Sequence, residues 1–195
     1  MSSYMANGGI YMLDPSDGSV LKMCTPPTAQ YGGYGGLAFD GTYLWQADSY
    51  GGGIYKLNTA DCSVISSIPS PDMYLNDLAW DGNYLWVCGY LSGKLYKLEP
   101  SDGSIVAEFD IQGEGLTYDG TYLLLSQDSR ILRINPSDGQ VISSMQIPFS
   151  RPESLAWDGG YLWVASFDEA MIYRIDVGTL MSVHLHLYDH ASLTR

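Results

Sequence analysis

The chain has 195 residues and a net charge of −13, from 22 Asp and Glu against 9 Lys and Arg. That balance excludes nucleic acid and an anionic membrane surface as partners, because both need a track of cations. The length suits a single domain with one sizeable core, and no apolar run approaches membrane-spanning length.

The N-terminus has neither a basic nor an apolar leader region, so the chain reads as cytoplasmic as encoded, or as secreted if a signal peptide was removed. Its three cysteines, Cys24, Cys62 and Cys88, are odd in number and scattered in position. That pattern reads as small buried thiols, not as a disulfide framework.

In chain order, the first predicted element is a hairpin over residues 10–26. It consists of Ile10-Tyr-Met-Leu13, the turn Asp14-Pro-Ser-Asp-Gly18, and an apolar run beginning Val20-Leu21. Residues 27–36 form a Gly/Tyr loop. A phrase then begins that recurs four times: Leu37-Ala-Phe-Asp-Gly-Thr-Tyr-Leu-Trp45, Leu78-Ala-Trp-Asp-Gly-Asn-Tyr-Leu-Trp86, Leu116-Thr-Tyr-Asp-Gly-Thr-Tyr-Leu-Leu124 and Leu155-Ala-Trp-Asp-Gly-Gly-Tyr-Leu-Trp163. A period near 40 residues marks a repeat architecture. Each copy leads to a second phrase, Ile54-Tyr-Lys-Leu, Leu95-Tyr-Lys-Leu, Ile131-Leu-Arg-Ile or Ile172-Tyr-Arg-Ile, and most of these to another Pro-Ser-Asp-Gly turn.

Asp-Gly between two apolar runs is a strong hairpin signal, because Gly accepts positive φ freely and Asp tolerates it. With a two-residue loop, Leu78, Trp80, Leu85 and Val87 share one face, and Ala79, Tyr84 and Trp86 the other. Both faces are apolar, so each sheet needs cover on both sides. The expected fold is therefore all-β, a β-propeller of four-stranded antiparallel blades. The blades span about 37–72, 78–112, 116–149 and 155–187, with a half blade over 10–26, in a single domain of residues 1–195. Four full blades and one half make about five. Closure as a four-blade ring, or a ring completed by a second copy through an open blade edge, are the alternatives. The basic residues Lys56, Lys97, Arg133 and Arg174 hold one repeat position and are expected to pair with turn carboxylates.

The Asp-Gly turns all lie at one end of the blades and read as structural; the varied connections lie at the other, where function on a rigid scaffold usually sits. The candidate ligand-binding residues there are Asp48, Tyr50, Asn76, Asp77, Tyr90, Gln127, Asp128, Arg151, Phe167 and Asp168. Carboxylates converging on the central channel would suit a divalent cation with oxygen ligands, Ca²⁺ or Mg²⁺. Glu114 and Glu153 stand two residues before the leading Leu, the place nearest the axis, and are the candidate catalytic pair if there is one. His184, His186 and His190 gather in the tail. His-x-His on a strand points both rings to one face, a donor pair for Zn²⁺ or Cu²⁺.

The repeat Leu-Ala-Trp-Asp-Gly-x-Tyr-Leu-Trp with Leu-Tyr-Lys-Leu-Glu-Pro-Ser-Asp-Gly resembles a broad group of bacterial and archaeal propellers. That group holds YVTN-type and NHL-type repeats, streptogramin (virginiamycin B) lyases and glutamine cyclotransferases, and the resemblance covers residues 9–187. Glu114-Gly-Leu-Thr is similar to a Glu-Gly-Leu-Thr phrase of the cyclotransferases, which implies Glu114 facing a cyclising glutaminyl N-terminus. The lyases' His–Glu pair has no counterpart in blades that lack histidine before residue 184. The expected function is a non-catalytic binding or interaction module that offers its variable-loop face to a small ligand, peptide or protein partner. A lyase- or cyclotransferase-like enzyme, with or without the assistance of a divalent metal, is the alternative.

Overall fold

The computed structural model describes residues 9–26, 35–48, 52–177 and 188–189, and these form strands and turns. β1 (Ile10–Leu13) and β2 (Val20–Cys24) make a two-stranded sheet. Four four-stranded antiparallel sheets follow. Blade one holds β3 (Leu37–Phe39), β4 (Tyr43–Ala47), β5 (Gly53–Asn58) and β6 (Val64–Pro69). Blade two holds β7 (Leu75–Trp80), β8 (Leu85–Gly89), β9 (Leu95–Leu98) and β10 (Ile105–Phe109). Blade three holds β11 (Leu116–Tyr118), β12 (Leu123–Gln127), β13 (Arg130–Ile134) and β14 (Val141–Gln146). Blade four holds β15 (Pro152–Trp157), β16 (Leu162–Ser166), β17 (Met171–Ile175) and β18 (Tyr188–Asp189).

Four full sheets and one half are what the repeat arithmetic predicts. The half blade stands as its own sheet and does not complete blade four, whose third and fourth strands are β17 and β18. The first strands pack in order around the axis, β3 on β7, β7 on β11 and β11 on β15. The core lies in the seams between blades, as sheets apolar on both faces require. Trp45, Ile54, Leu78 and Val87 fill the first seam; Trp86, Leu95, Leu116 and Leu125 the second; Leu124, Ile131, Leu155 and Val164 the third. Each fully buried Leu or Val among them contributes roughly 1.5–3 kcal/mol.

The hairpin turn is longer than the two-residue loop expected. In blade two Leu78 pairs with Val87, Ala79 with Trp86 and Trp80 with Leu85, which leaves Asp81–Tyr84 as a four-residue loop. The Asp81 side chain explains this. Its Oδ1 accepts the N–H groups of Asn83 (2.9 Å) and Tyr84 (2.8 Å), and its Oδ2 accepts the indole N–H of Trp86 (2.7 Å). Lengthening the loop by two residues leaves the alternation unchanged, so the predicted faces hold.

Asp40 and Asp158 repeat the arrangement with Trp45 and Trp163. The cations behave as expected: Lys56, Lys97 and Arg133 lie 3.3, 3.9 and 3.5 Å from Asp40, Asp81 and Asp119. They also cover the Tyr rings of the same phrase at 4.4, 4.3 and 5.1 Å. Burial pushes the Asp40 carboxyl up, but these donors together hold it below the usual carboxylate range.

One expectation is overturned. Cys24 and Cys62 are disulfide-bonded, with Cα atoms 5.8 Å apart, an ordinary separation for such a bridge. Cys88 is the buried free thiol. Cys62 occupies the turn position that Gly103 and Gly139 hold in blades two and three, and it keeps their left-handed backbone, φ 59° against 78° and 72°. The reason lies at the seam. A Cβ on Gly103 would meet Pro69 at 2.9 Å, and one on Gly139 would overlap the Phe109 ring, so each turn packs tightly on the outer strand of the preceding blade. At blade one the preceding outer strand is β2 of the half blade, and there the contact is a covalent bond.

Candidate functional site

The first strand of each blade runs from the variable connections toward the Asp-Gly turn. The residue just before the leading Leu therefore marks one end of the axis, and the aromatic two residues after it marks the other.

At the first end Gly36, Asp77, Gly115 and Ser154 hold one repeat position. Asp77 is 1 % exposed. Its Oδ1 accepts the N–H of Leu78 (2.9 Å); its Oδ2 accepts the N–H groups of Leu116 (2.9 Å) and Leu155 (3.3 Å) and the hydroxyl of Ser154 (3.2 Å). One carboxylate thus joins the starts of three blades. A Cβ on Gly36 would overlap Asp77, so blade one must bring glycine there. Burial pushes the Asp77 pKa up to about 7, against the pull of the backbone donors. The same burial, together with the Asp77 charge, pushes the Cys88 thiol well up.

Asp77 does not suit the expected cation. Its oxygens face N–H and O–H donors, where a divalent ion needs further oxygen ligands. Among the described residues no three His, Cys, Asp or Glu side chains come together to hold a metal ion.

At the turn end a cavity of about 590 Å³ opens between the half blade and the first strands. Phe39, Trp80, Tyr118 and Trp157, one aromatic per blade, line it, with Ile10 and Lys22 on the half-blade side.

The charged group of the variable-loop face sits on blade four. Arg151, in a left-handed conformation (φ 45°), pairs with Glu153 at 2.8 Å and with Asp168 at 3.5 Å. Its guanidinium lies 4.3 Å over the Phe167 ring, which is 51 % exposed. Ser150 donates its hydroxyl to Asp168 at 2.7 Å, and Ser166 donates to Glu169. Glu114 is exposed and near enough that its charge, after burial, helps raise the Glu153 carboxyl above its ordinary range.

The two connections of blade four thus bring Arg151, Glu153, Phe167 and Asp168 together, with Glu114 beside them. The other predicted residues are placed apart from this group. Asp48 is buried and closes the connection from β4 to β5 through its own N–H. Asn76 and Gln127 donate their amides to the carbonyls of Gly113 and Gln112. Asp128 is an exposed turn residue with φ 54°, and Tyr90 is exposed on blade two. Tyr50, His184, His186 and His190 lie outside the described residues.

The sequence does not signal the cavity, because the repeated Asp-Gly turns at that end read as structural. Nor does it announce the bridge, although Asn58-Thr-Ala-Asp-Cys62 in the register of Pro-Ser-Asp-Gly signals a residue with a reason to replace glycine.

No protein-family model matches the chain, and no curated protein sequence does. Solved structures do. The glutaminyl cyclase of Myxococcus xanthus superposes with a TM-score of 0.68 at 17 % identity, over 77 % of this chain and 68 % of that one. Hydrazine synthase of Kuenenia stuttgartiensis gives 0.60 at 15 %, over 80 % and 49 %. The virginiamycin B lyase of Staphylococcus aureus, in a structure with quinupristin, gives 0.57 at 21 %, over 94 % and 63 %. The chain therefore spans about half to two thirds of the length of these proteins. At such identities the likeness is one of fold: this is a β-propeller similar to the glutaminyl cyclase and virginiamycin B lyase propellers.

Proposed function

We propose that the protein is a non-catalytic β-propeller binding module whose variable-loop face, at blade four, takes a small ligand or peptide carrying a cation next to an apolar group. The observation that supports this is the make-up of the Arg151 cluster. Glu153 and Asp168 flank a single guanidinium beside a half-exposed Phe167 ring, and the Glu114 charge is close enough to help raise the Glu153 carboxyl. An incoming ammonium or guanidinium relieves the repulsion among those carboxylates, and the ring offers a face for stacking. The test is calorimetric titration with short peptides that pair Lys or Arg with an aromatic residue. Saturable binding that weakens with salt, and by about tenfold in Glu153→Gln or Phe167→Ala, is the expected result. Binding by none of the peptides, or binding indifferent to both variants, overturns the reading.

A second reading, a glutaminyl cyclase-like enzyme, draws on Glu114 in its Glu-Gly-Leu-Thr phrase and its place beside the raised Glu153. A peptide beginning with glutamine would then lose ammonia in the presence of the protein and not in the presence of Glu114→Gln. Repeating the assay with and without Ca²⁺ or Mg²⁺ tests metal assistance. An unchanged peptide mass under both conditions removes this reading and leaves the first standing.

A further inference from the structure

We propose that the half blade is a docking platform for a β-hairpin of the kind that forms the inner two strands of every full blade, supplied by a separate polypeptide segment. The site is the cavity at the turn end, distinct from the Arg151 cluster.

The repeat itself says what belongs there. Ile10-Tyr-Met-Leu13 of β1 matches Ile54-Tyr-Lys-Leu of β5 and Leu95-Tyr-Lys-Leu of β9. Those strands are third in their sheets and carry an inner neighbour, β4 or β8, and beyond it an innermost strand. Among the described residues β1 pairs with β2 alone, so its axis-facing edge has backbone donors and acceptors without a strand. That edge borders the aromatic-lined cavity through Ile10 and Met12. Extended segments add to such edges through main-chain hydrogen bonds, with alternate side chains entering apolar pockets.

Two further observations fit this occupant. Among the described residues the half blade has no inner strands to hold it on the ring, yet it is fixed there. The Cys24–Cys62 bridge ties it to blade one, and the Lys22 ammonium donates to the Thr59 carbonyl at 2.9 Å. Charge is complementary as well. In blades one to three the third strand carries the cation that meets the hairpin's turn carboxylate, at Lys56, Lys97 and Arg133. In β1 that position is Met12, and the cation is Lys22, directly across the pair from Met12 and lining the cavity. An incoming hairpin with an Asp-Gly turn meets Lys22 as the resident hairpins meet their own cations. A second copy of this chain is disfavoured as donor, since β3–β4, β7–β8, β11–β12 and β15–β16 are each built into a sheet of their own.

The experiment uses the intact oxidised protein and a fluorescein-labelled synthetic peptide with the sequence of Leu78–Val87. Binding is read by anisotropy, and the edge by hydrogen exchange of the residue 10–13 amides. The expected result is saturable one-to-one binding and at least about tenfold slower exchange over residues 10–13. Lys22→Glu weakens binding by about tenfold, and a peptide that keeps its turn Asp but carries Lys in place of the exposed turn Asn restores it. The charge swap separates docking from mere loosening of the half blade, which no peptide change would repair. The proposal is overturned if the peptide does not bind, or if Lys22→Glu leaves binding unchanged. It is equally overturned if residues 10–13 are already protected without peptide, whether by another part of the chain or in a dimer seen by sedimentation.

Discussion

Asp77, at the start of blade two, accepts the backbone N–H of Leu155, 78 residues further on at the start of blade four. The same oxygen takes the N–H of Leu116 in blade three. Replacing Asp77 with Ala leaves three buried N–H groups without acceptors, each costing roughly 1–3 kcal/mol, so a loss of about 3–9 kcal/mol is expected. Asp77→Asn keeps one acceptor oxygen and should cost roughly half as much. Urea denaturation of the two variants checks both the size and the order.

The pH dependence of stability should carry the mark of the same residue. The folded-state pKa is raised to about 7 from an ordinary value of 3.8. Between those values the folded chain binds more protons than the unfolded one, so this contribution is fully present below about pH 4 and is lost as pH rises toward 7. Turn carboxylates such as Asp40 and Asp158 have lowered pKa values and act in the opposite sense, losing stability as pH falls through the acid range. The informative quantity is therefore the difference between wild type and Asp77→Asn. The wild type should lose ground by a few kcal/mol from pH 4 to 7 relative to the variant. A pH-independent difference would show that Asp77 titrates normally.

Breaking the Cys24–Cys62 bridge, with its sequence separation of 38, should cost up to about 4 kcal/mol on the chain-entropy model. The loss should appear first as protease cleavage within residues 10–26. Cys62 sits at φ 59°, so Cys62→Gly should be milder than Cys62→Ala by about 1 kcal/mol, the cost of a Cβ in a left-handed turn. Thermal melts of both variants make the comparison.

The turn aspartates offer an internal control. Besides the cation each one meets, Asp81 accepts two backbone N–H groups and the Trp86 indole, whereas Asp119 accepts the N–H groups of Thr121 and Tyr122 and no indole, because blade three carries Leu124 in place of Trp. Asp81→Ala should therefore be more destabilising than Asp119→Ala by about 1 kcal/mol, measured by denaturant midpoint at constant m-value.

The blades were legible because their signals are local: the Asp-Gly phrase, the Pro-Ser-Asp-Gly turn and an alternation that survives a two-residue change in loop length. Long-range relations were not. Asp77 looks like any loop acid until Gly36, Leu116 and Leu155 are brought around it, and a Cys at a glycine position does not announce its partner 38 residues away. Among the candidate residues, Arg151, Phe167 and Asp168 lie together at the variable-loop end of blade four. Nothing in their spacing, however, distinguishes them from Asn76 or Gln127, whose amides are occupied by neighbouring carbonyls.

The hub carboxylate also gives the modules an address. Four near-copies of one sentence invite shuffling, but only the second brings an acid to the centre, while the first and third must arrive without a side chain there. Exchanging the first module for the second would set a Cβ against an acid or leave the centre without its acceptor. A gene assembled from the same four parts in another order should express as a protein that does not hold together.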